Sequence, residues 1–151
     1  MTDLYSQWSK TTRPNGDPSP YRSSSLAFGR GSQAELKVKL DISTDNLGAG
    51  DLWNFVRLPA DAIIDEMFLT VSDLDDGSAL TIMLEADDGT TDSDLLSAAS
   101  TVGQAGGTVF ANNNLPYIGG DAEVEVRGHV IAGAGTPKAG DATLTVRFSR
   151  A

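Results

Sequence analysis

Apolar and polar residues alternate along four stretches of this chain. Leu36, Val38, Leu40 and Ile42 share one parity while Lys37, Lys39 and Asp41 take the other. The same pattern returns at Leu80, Ile82, Leu84 and Ala86, at Val124, Val126, Gly128 and Val130, and at Leu144, Val146 and Phe148. A period of two puts successive side chains on opposite sides of a strand, so each stretch predicts a strand with one face in a core and one in water. Shorter apolar stretches at Trp53–Leu58, Thr108–Phe110 and Leu115–Ile118 extend the set. From Ile63 to Val71, Ile63, Met67, Leu69 and Val71 keep one parity and Asp65 breaks it. Pro59 cannot donate to a ladder, which assigns it to a strand entrance or an edge. Asp75-Asp76-Gly77 and Asp87-Asp88-Gly89 flank the Leu80–Ala86 strand as tight-turn formers. Thr91–Gln104 reads as the one helix, capped by Asp92 or Ser93, packed through Leu95, Leu96, Ala98 and Ala99, and ended by Gly103 or Gly106. Short strands with Gly and Asp turns predict an all-β, antiparallel β-sandwich or jelly-roll-like body with at most one short helix.

The pattern stops before residue 34. Residues 1–33 hold Pro14, Pro18 and Pro20, the run Ser23-Ser24-Ser25 and the loop-like Gly29-Arg30-Gly31, with no apolar period. Disordered segments are poor in aromatic residues. This one carries Tyr5, Trp8, Tyr21 and Phe28 beside Arg13, Arg22 and Arg30. We read 1–33 as an extended N-terminal arm that docks on its own body or on a neighbour, and 34–151 as the β-sandwich body. Large rings with arginines are typical interface anchors, which favours the neighbour.

Charge sharpens this division. The formal net charge is −10. The arm is slightly cationic, so the whole acidic surplus lies in the body, where it repels nucleic acid and anionic membrane and keeps copies dispersed. The sequence contains no cysteine, which removes thiolate chemistry and cysteine-bound zinc. No stretch approaches the ~20 apolar residues of a membrane span, and the first residues lack a cationic, apolar leader, which predicts synthesis in a cytoplasm. Lys37 and Lys39 either face Glu123 and Glu125 across strands or guard an edge strand against unwanted pairing.

Candidate chemistry is sparse. The single histidine, His129, lies on the polar parity of its strand with no nucleophile or carboxylate signalled nearby, so it reads as solvent-facing or interfacial. Two acidic clusters, Asp73/Asp75/Asp76 and Asp87/Asp88/Asp92/Asp94, raise calcium, but neither has EF-hand spacing and each aspartate has a use as turn former or cap. Gly48-Ala49-Gly50 and Gly103–Gly107 lack the lysine of a phosphate-binding loop. Trp53 and Tyr117 are the candidate platforms of a carbohydrate-binding module, yet both sit in apolar stretches that favour core or interface. The expectation is a non-enzymatic protein without catalytic residues, metal or cofactor.

One set of segments resembles a known family. Leu58-Pro59-Ala60-Asp61-Ala62-Ile63-Ile64-Asp65-Glu66, Asp73-Leu74-Asp75-Asp76-Gly77, Ala86-Asp87-Asp88-Gly89, Gly106-Gly107-Thr108-Val109 and Gly140–Phe148, in that order and at that spacing, resemble small structural proteins of tailed bacteriophages of the head decoration, or cement, type. The likeness covers about Leu36 to Arg150 and does not include the arm. It implies a sandwich or jelly-roll subunit on the outside of an icosahedral head, commonly a homotrimer, with the major capsid protein and further copies of itself as partners. It implies no catalytic residues. A tail or fibre adaptor on the same scaffold, and a carbohydrate-binding module, are the alternatives. The arm as the binding element, through Tyr5, Trp8, Arg13, Tyr21, Arg22, Phe28 and Arg30, is an inference from its composition and not from the resemblance.

Overall fold

A computed structural model describes residues 4–8 and 33–150. Ten strands form two facing sheets. They are β1 (Leu4–Trp8), β2 (Gln33–Ile42), β3 (Leu52–Leu58), β4 (Ala62–Val71), β5 (Thr81–Asp87), β6 (Asp92–Asp94), β7 (Gly107–Phe110), β8 (Tyr117–Ile118), β9 (Val124–Ala132) and β10 (Gly140–Arg150). One sheet runs β1-β3-β9-β5-β6, and the other runs β2-β10-β4-β7 with β8 also on β4. From β2 to β5 each strand crosses to the opposite sheet, as does β9 to β10. Neighbours are antiparallel except β1, which lies parallel to β3 with Leu4 beside Trp53 and Tyr5 beside Asn54. The sequence therefore predicts the fold class and most strands correctly.

The inward parities meet between the sheets. Val38, Leu40 and Ile42 of β2, Leu144, Val146 and Phe148 of β10, Val124, Val126 and Val130 of β9, and Ile82 and Leu84 of β5 are all buried. Side chains of this kind stabilise by about 1.5–3 kcal/mol each when removed from water. Trp53 is fully buried and its indole Nε1 donates to the Asn46 carbonyl at 2.9 Å. It faces Gly128, where a Cβ would lie 3.2 Å from the indole, so the small residue on the apolar parity of β9 makes room for the ring.

Two irregularities explain breaks in the pattern. Arg147 pairs with Glu66 but Phe148 pairs with Ile64, leaving Asp65 as the extra residue of a bulge in β4. The bulge resets the phase, so Ala62 and Ile64 point inward before it and Met67, Leu69 and Val71 after it. Ile63, which the sequence places inward, is half-buried on the outer side. A second register shift between Asn54 and Val56 lets both Phe55 and Val56 be buried.

Three expectations need correction. Thr91–Gln104 is not a helix: it contains β6 and a 3-10 turn at Val102–Gln104. Leu95 N–H bonds to Leu84 O, and Ser100 exchanges both backbone bonds with Ile82, so the segment is tied to β5 at both ends and bends between them at 95–98. Lys37 and Lys39 do not face Glu123 and Glu125. They pair with Thr145 and Thr143 of β10, and β2 is the outermost strand of its sheet, which agrees with the edge-guarding alternative. Finally, the outward side of the first sheet is only partly wet, because Asn54, Met83, Glu85 and Glu125 are buried there.

Candidate interaction surfaces

Of the arm residues singled out from the sequence, Tyr5 and Trp8 belong to β1, beside Asn54 and Val56. Arg13, Tyr21, Arg22, Phe28 and Arg30 lie outside the described residues.

The histidine has a partner the sequence did not signal. His129 Nδ1 lies 2.8 Å from Glu85 Oε2, across the β9–β5 ladder. A carboxylate accepts only, so Nδ1 donates. The other oxygen, Glu85 Oε1, accepts from Arg127 Nε at 3.0 Å, and Arg127 also reaches Asp87 and Asp92 at 3.0 Å each. Burial pushes the Arg127 guanidinium down, but the Glu85 hydrogen bond and the Asp92, Glu85 and Asp87 charges outweigh it and hold it above its ordinary value. Burial also raises the Asp92 carboxyl; Arg127 opposes this, while Asp87 and Glu85 add to it, and the net direction is up. His129 sits between Leu52 and Met83 in the ladder, and its ring bonds to Glu85. A base and an orienting carboxylate are present, but among the described residues no hydroxyl is hydrogen-bonded to the ring. The arrangement ties β9, β5 and β6 together.

The acidic turns are equally occupied. Asp75 is buried, and its carboxylate accepts from the backbone N–H groups of Gly77, Ala79, Leu80, Gly135 and Thr136 at 2.7–3.2 Å. Burial alone would raise its pKa, but the Thr136, Ala79, Gly77 and Leu80 donors together overcome that and hold the carboxyl far below the usual carboxylate range. Asp73 and Asp76 pair with Lys138 at 3.1 and 3.5 Å. Asp88 accepts from Thr91 and Thr90 N–H, which lowers its pKa. A cleft of about 230 Å³ beside this turn is lined by Asp87, Asp88, Glu123 and Glu125, with Arg57 opposite Glu123 at 3.5 Å. Tyr117 is raised by burial and then by the Asp88 and Asp87 charges. Among the described residues no group of three acids and histidines is arranged to hold a metal ion.

The outer side of the second sheet carries a different surface. Phe110 of β7 is 56% exposed and Ile118 of β8 is 68% exposed. Phe110 stands opposite Phe68 with ring centroids 5.2 Å apart, and Ile118 stands opposite Ile63. The next row is Thr70 and Thr108, whose hydroxyls are 3.0 Å apart. Between the two apolar rows, Glu66 is held by Arg147 at 2.8 Å, which also binds Glu35. The sequence did carry a signal for this surface: no Asp, Glu, Lys, Arg or His occurs from Leu95 to Gly120, in a chain that is 21% charged. Trp53, by contrast, is buried and Tyr117 packs against the core, so neither candidate sugar platform is displayed.

No family model and no curated protein matches the chain. Solved structures do. A chain of the capsid of Ralstonia phage GP4 is 29% identical, with a TM-score of 0.67 over 82% of this chain and 87% of that one. A chain of the cyanophage Pam1 capsid asymmetric unit is 23% identical, with a TM-score of 0.66 over 92% of this chain and 100% of that one. A chain of the acid-stable capsid of Helicobacter pylori bacteriophage KHP30 shares the fold at 16% identity, with a TM-score of 0.52 over 80% and 90%. The likeness to chains of phage capsids supports a structural role in a virion.

Proposed function

We propose that this chain is a virion structural protein that decorates and cements the outer surface of a bacteriophage head, binding the major capsid protein and further copies of itself, as a homotrimer. The observation that carries the proposal is the nearly full-length likeness to a chain of the Ralstonia phage GP4 capsid. The strand order supports it: β2-β10-β4-β7 facing β3-β9-β5-β6, with most successive strands changing sheets, is the order expected of a jelly roll, a recurrent capsid architecture. The chemistry agrees: Glu85 is bound to Arg127, Asp73 to Lys138 and Asp75 to backbone N–H groups. The acidic body favours the outside of a shell, away from packaged DNA. In this reading the arm fastens the subunit through Tyr5, Trp8, Arg13, Tyr21, Arg22, Phe28 and Arg30, and repetition of modest contacts around the particle supplies avidity.

A reconstruction of the virion tests the proposal. Density fitting the sandwich on the outer face of the head is the expected result, and density confined to the tail overturns it. The role of the arm is tested by replacing Arg13, Tyr21, Arg22, Phe28 and Arg30 together with alanine and mixing the full chain with undecorated heads. Loss of binding with unchanged thermal unfolding is expected, and undiminished binding removes the arm from the mechanism.

A further inference from the structure

We infer that the apolar surface formed by Phe68 and Phe110, Ile63 and Ile118, and the Thr70–Thr108 pair is where one copy of this chain docks on another. The inference rests on the proposed reading that the protein works as an assembly of copies, and it names the surface through which they meet.

The first support is electrostatic. Each copy carries a net charge of −10, and like-charged bodies repel on approach. A cationic partner would be drawn to the acidic turns. A second copy comes close most readily where charge is sparse, and the Leu95–Gly120 segment contributes no side chain that is charged at neutral pH. Of the two acids between the apolar rows, Glu66 faces Arg147 and Asp65 accepts from Gln33 Nε2 at 3.3 Å.

The second support is apolar exposure. Two of the three exposed large hydrophobic residues among the described ones, Phe110 and Ile118, stand on this face, and their ladder partners Phe68 and Ile63 lie beside them. Clustered exposed apolar side chains mark contact sites, whereas single ones need no explanation. Ile131, the third, stands alone on the other sheet.

The third support is rigidity. Ala111 N–H bonds to Met67 O at 2.8 Å, and Gly119 N–H bonds to Ala62 O at 2.8 Å, so the residue after β7 and the residue after β8 are both tied to β4. Between the two strands, Asn112 and Asn113 N–H bond to Leu95 O, and the Asn113 and Asn114 side chains both donate to Asp94 O. A surface already fixed loses little conformational freedom when it docks.

Sedimentation of the full-length chain tests this. The wild type is expected to associate, and more tightly when salt rises from ~0.05 to ~0.5 M, because screening removes repulsion without weakening an uncharged contact. Phe110→Glu and Ile118→Glu should each weaken association at least ~10-fold. Both positions are exposed, so thermal unfolding should hardly move; Ile131→Glu should associate like the wild type. Three results overturn the inference: a wild type that stays monomeric, variants that associate normally, or association that dissolves in salt. A monomeric wild type whose Phe110→Glu variant fails to bind heads would assign the patch to the shell instead. Density absent from the head would overturn the proposed function while leaving the association result standing.

Discussion

A single carboxylate holds two distant loops together. Asp75 accepts from Gly77, Ala79 and Leu80 on its own side and from Gly135 and Thr136 on the loop between β9 and β10. The loops touch so closely that a Cβ on Gly77 would lie 2.7 Å from Thr136 N, so no larger residue fits there without displacing backbone. In Asp75→Asn the amide NH₂ turns a donor toward backbone donors and the charge is lost. We expect a fall in melting temperature of roughly 5–10 °C with the fold retained, measured by thermal unfolding. The sequence showed Asp75 as a turn former beside Gly77. It could not show the donors from Gly135 and Thr136, because nothing local records which loops a fold brings together. His129 taught the same lesson: its strand and its parity were legible, and its Glu85 partner on another strand was not.

At the level of strands, alternation located β2, β5, β9 and β10 because each buries one face against the opposite sheet. It failed where an extra residue resets the phase, as at Asp65, and where the chain bends beside a strand without a period, as at Leu95–Ser100. Pairing order was not legible, since the period of two says which face is buried and not which strand lies alongside. That order decides what Arg127 does. Standing on β9, it meets Glu85 and Asp87 of β5 and Asp92 of β6. Arg127→Met keeps much of the aliphatic stem but leaves the three carboxylates facing one another without a cation. The expected loss is about 2–4 kcal/mol, read as a lower urea midpoint with the slope unchanged. Restoring stability by adding Glu85→Gln to Arg127→Met would identify repulsion, and not lost packing, as the cause.

For the molecule as a whole, the ionisable groups set opposite limits of pH. Asp75 and Asp88 have folded pKa values below their ordinary 3.8, so the stability they contribute is complete above that value and drains away as pH falls through the folded ones. Lys138 is raised by Asp73 and Asp76 above its ordinary 10.5, so its contribution is complete below that value and is lost as pH climbs through the folded one. Asp92 is raised and works against the acid limb. Urea midpoints should therefore form a plateau across neutral pH that declines below about pH 4 and above about pH 10.5, with a shallower acid decline in Asp75→Asn. The two sheets share a further property. β9 stands between β3 and β5, and β10 stands between β2 and β4, so a strand that joins two earlier ones in each sheet comes from Val124–Arg150. While that stretch is still being translated, β3 and β5, and β2 and β4, have no strand to join them. The two-sheet sandwich therefore closes only after Val124–Arg150 has left the ribosome.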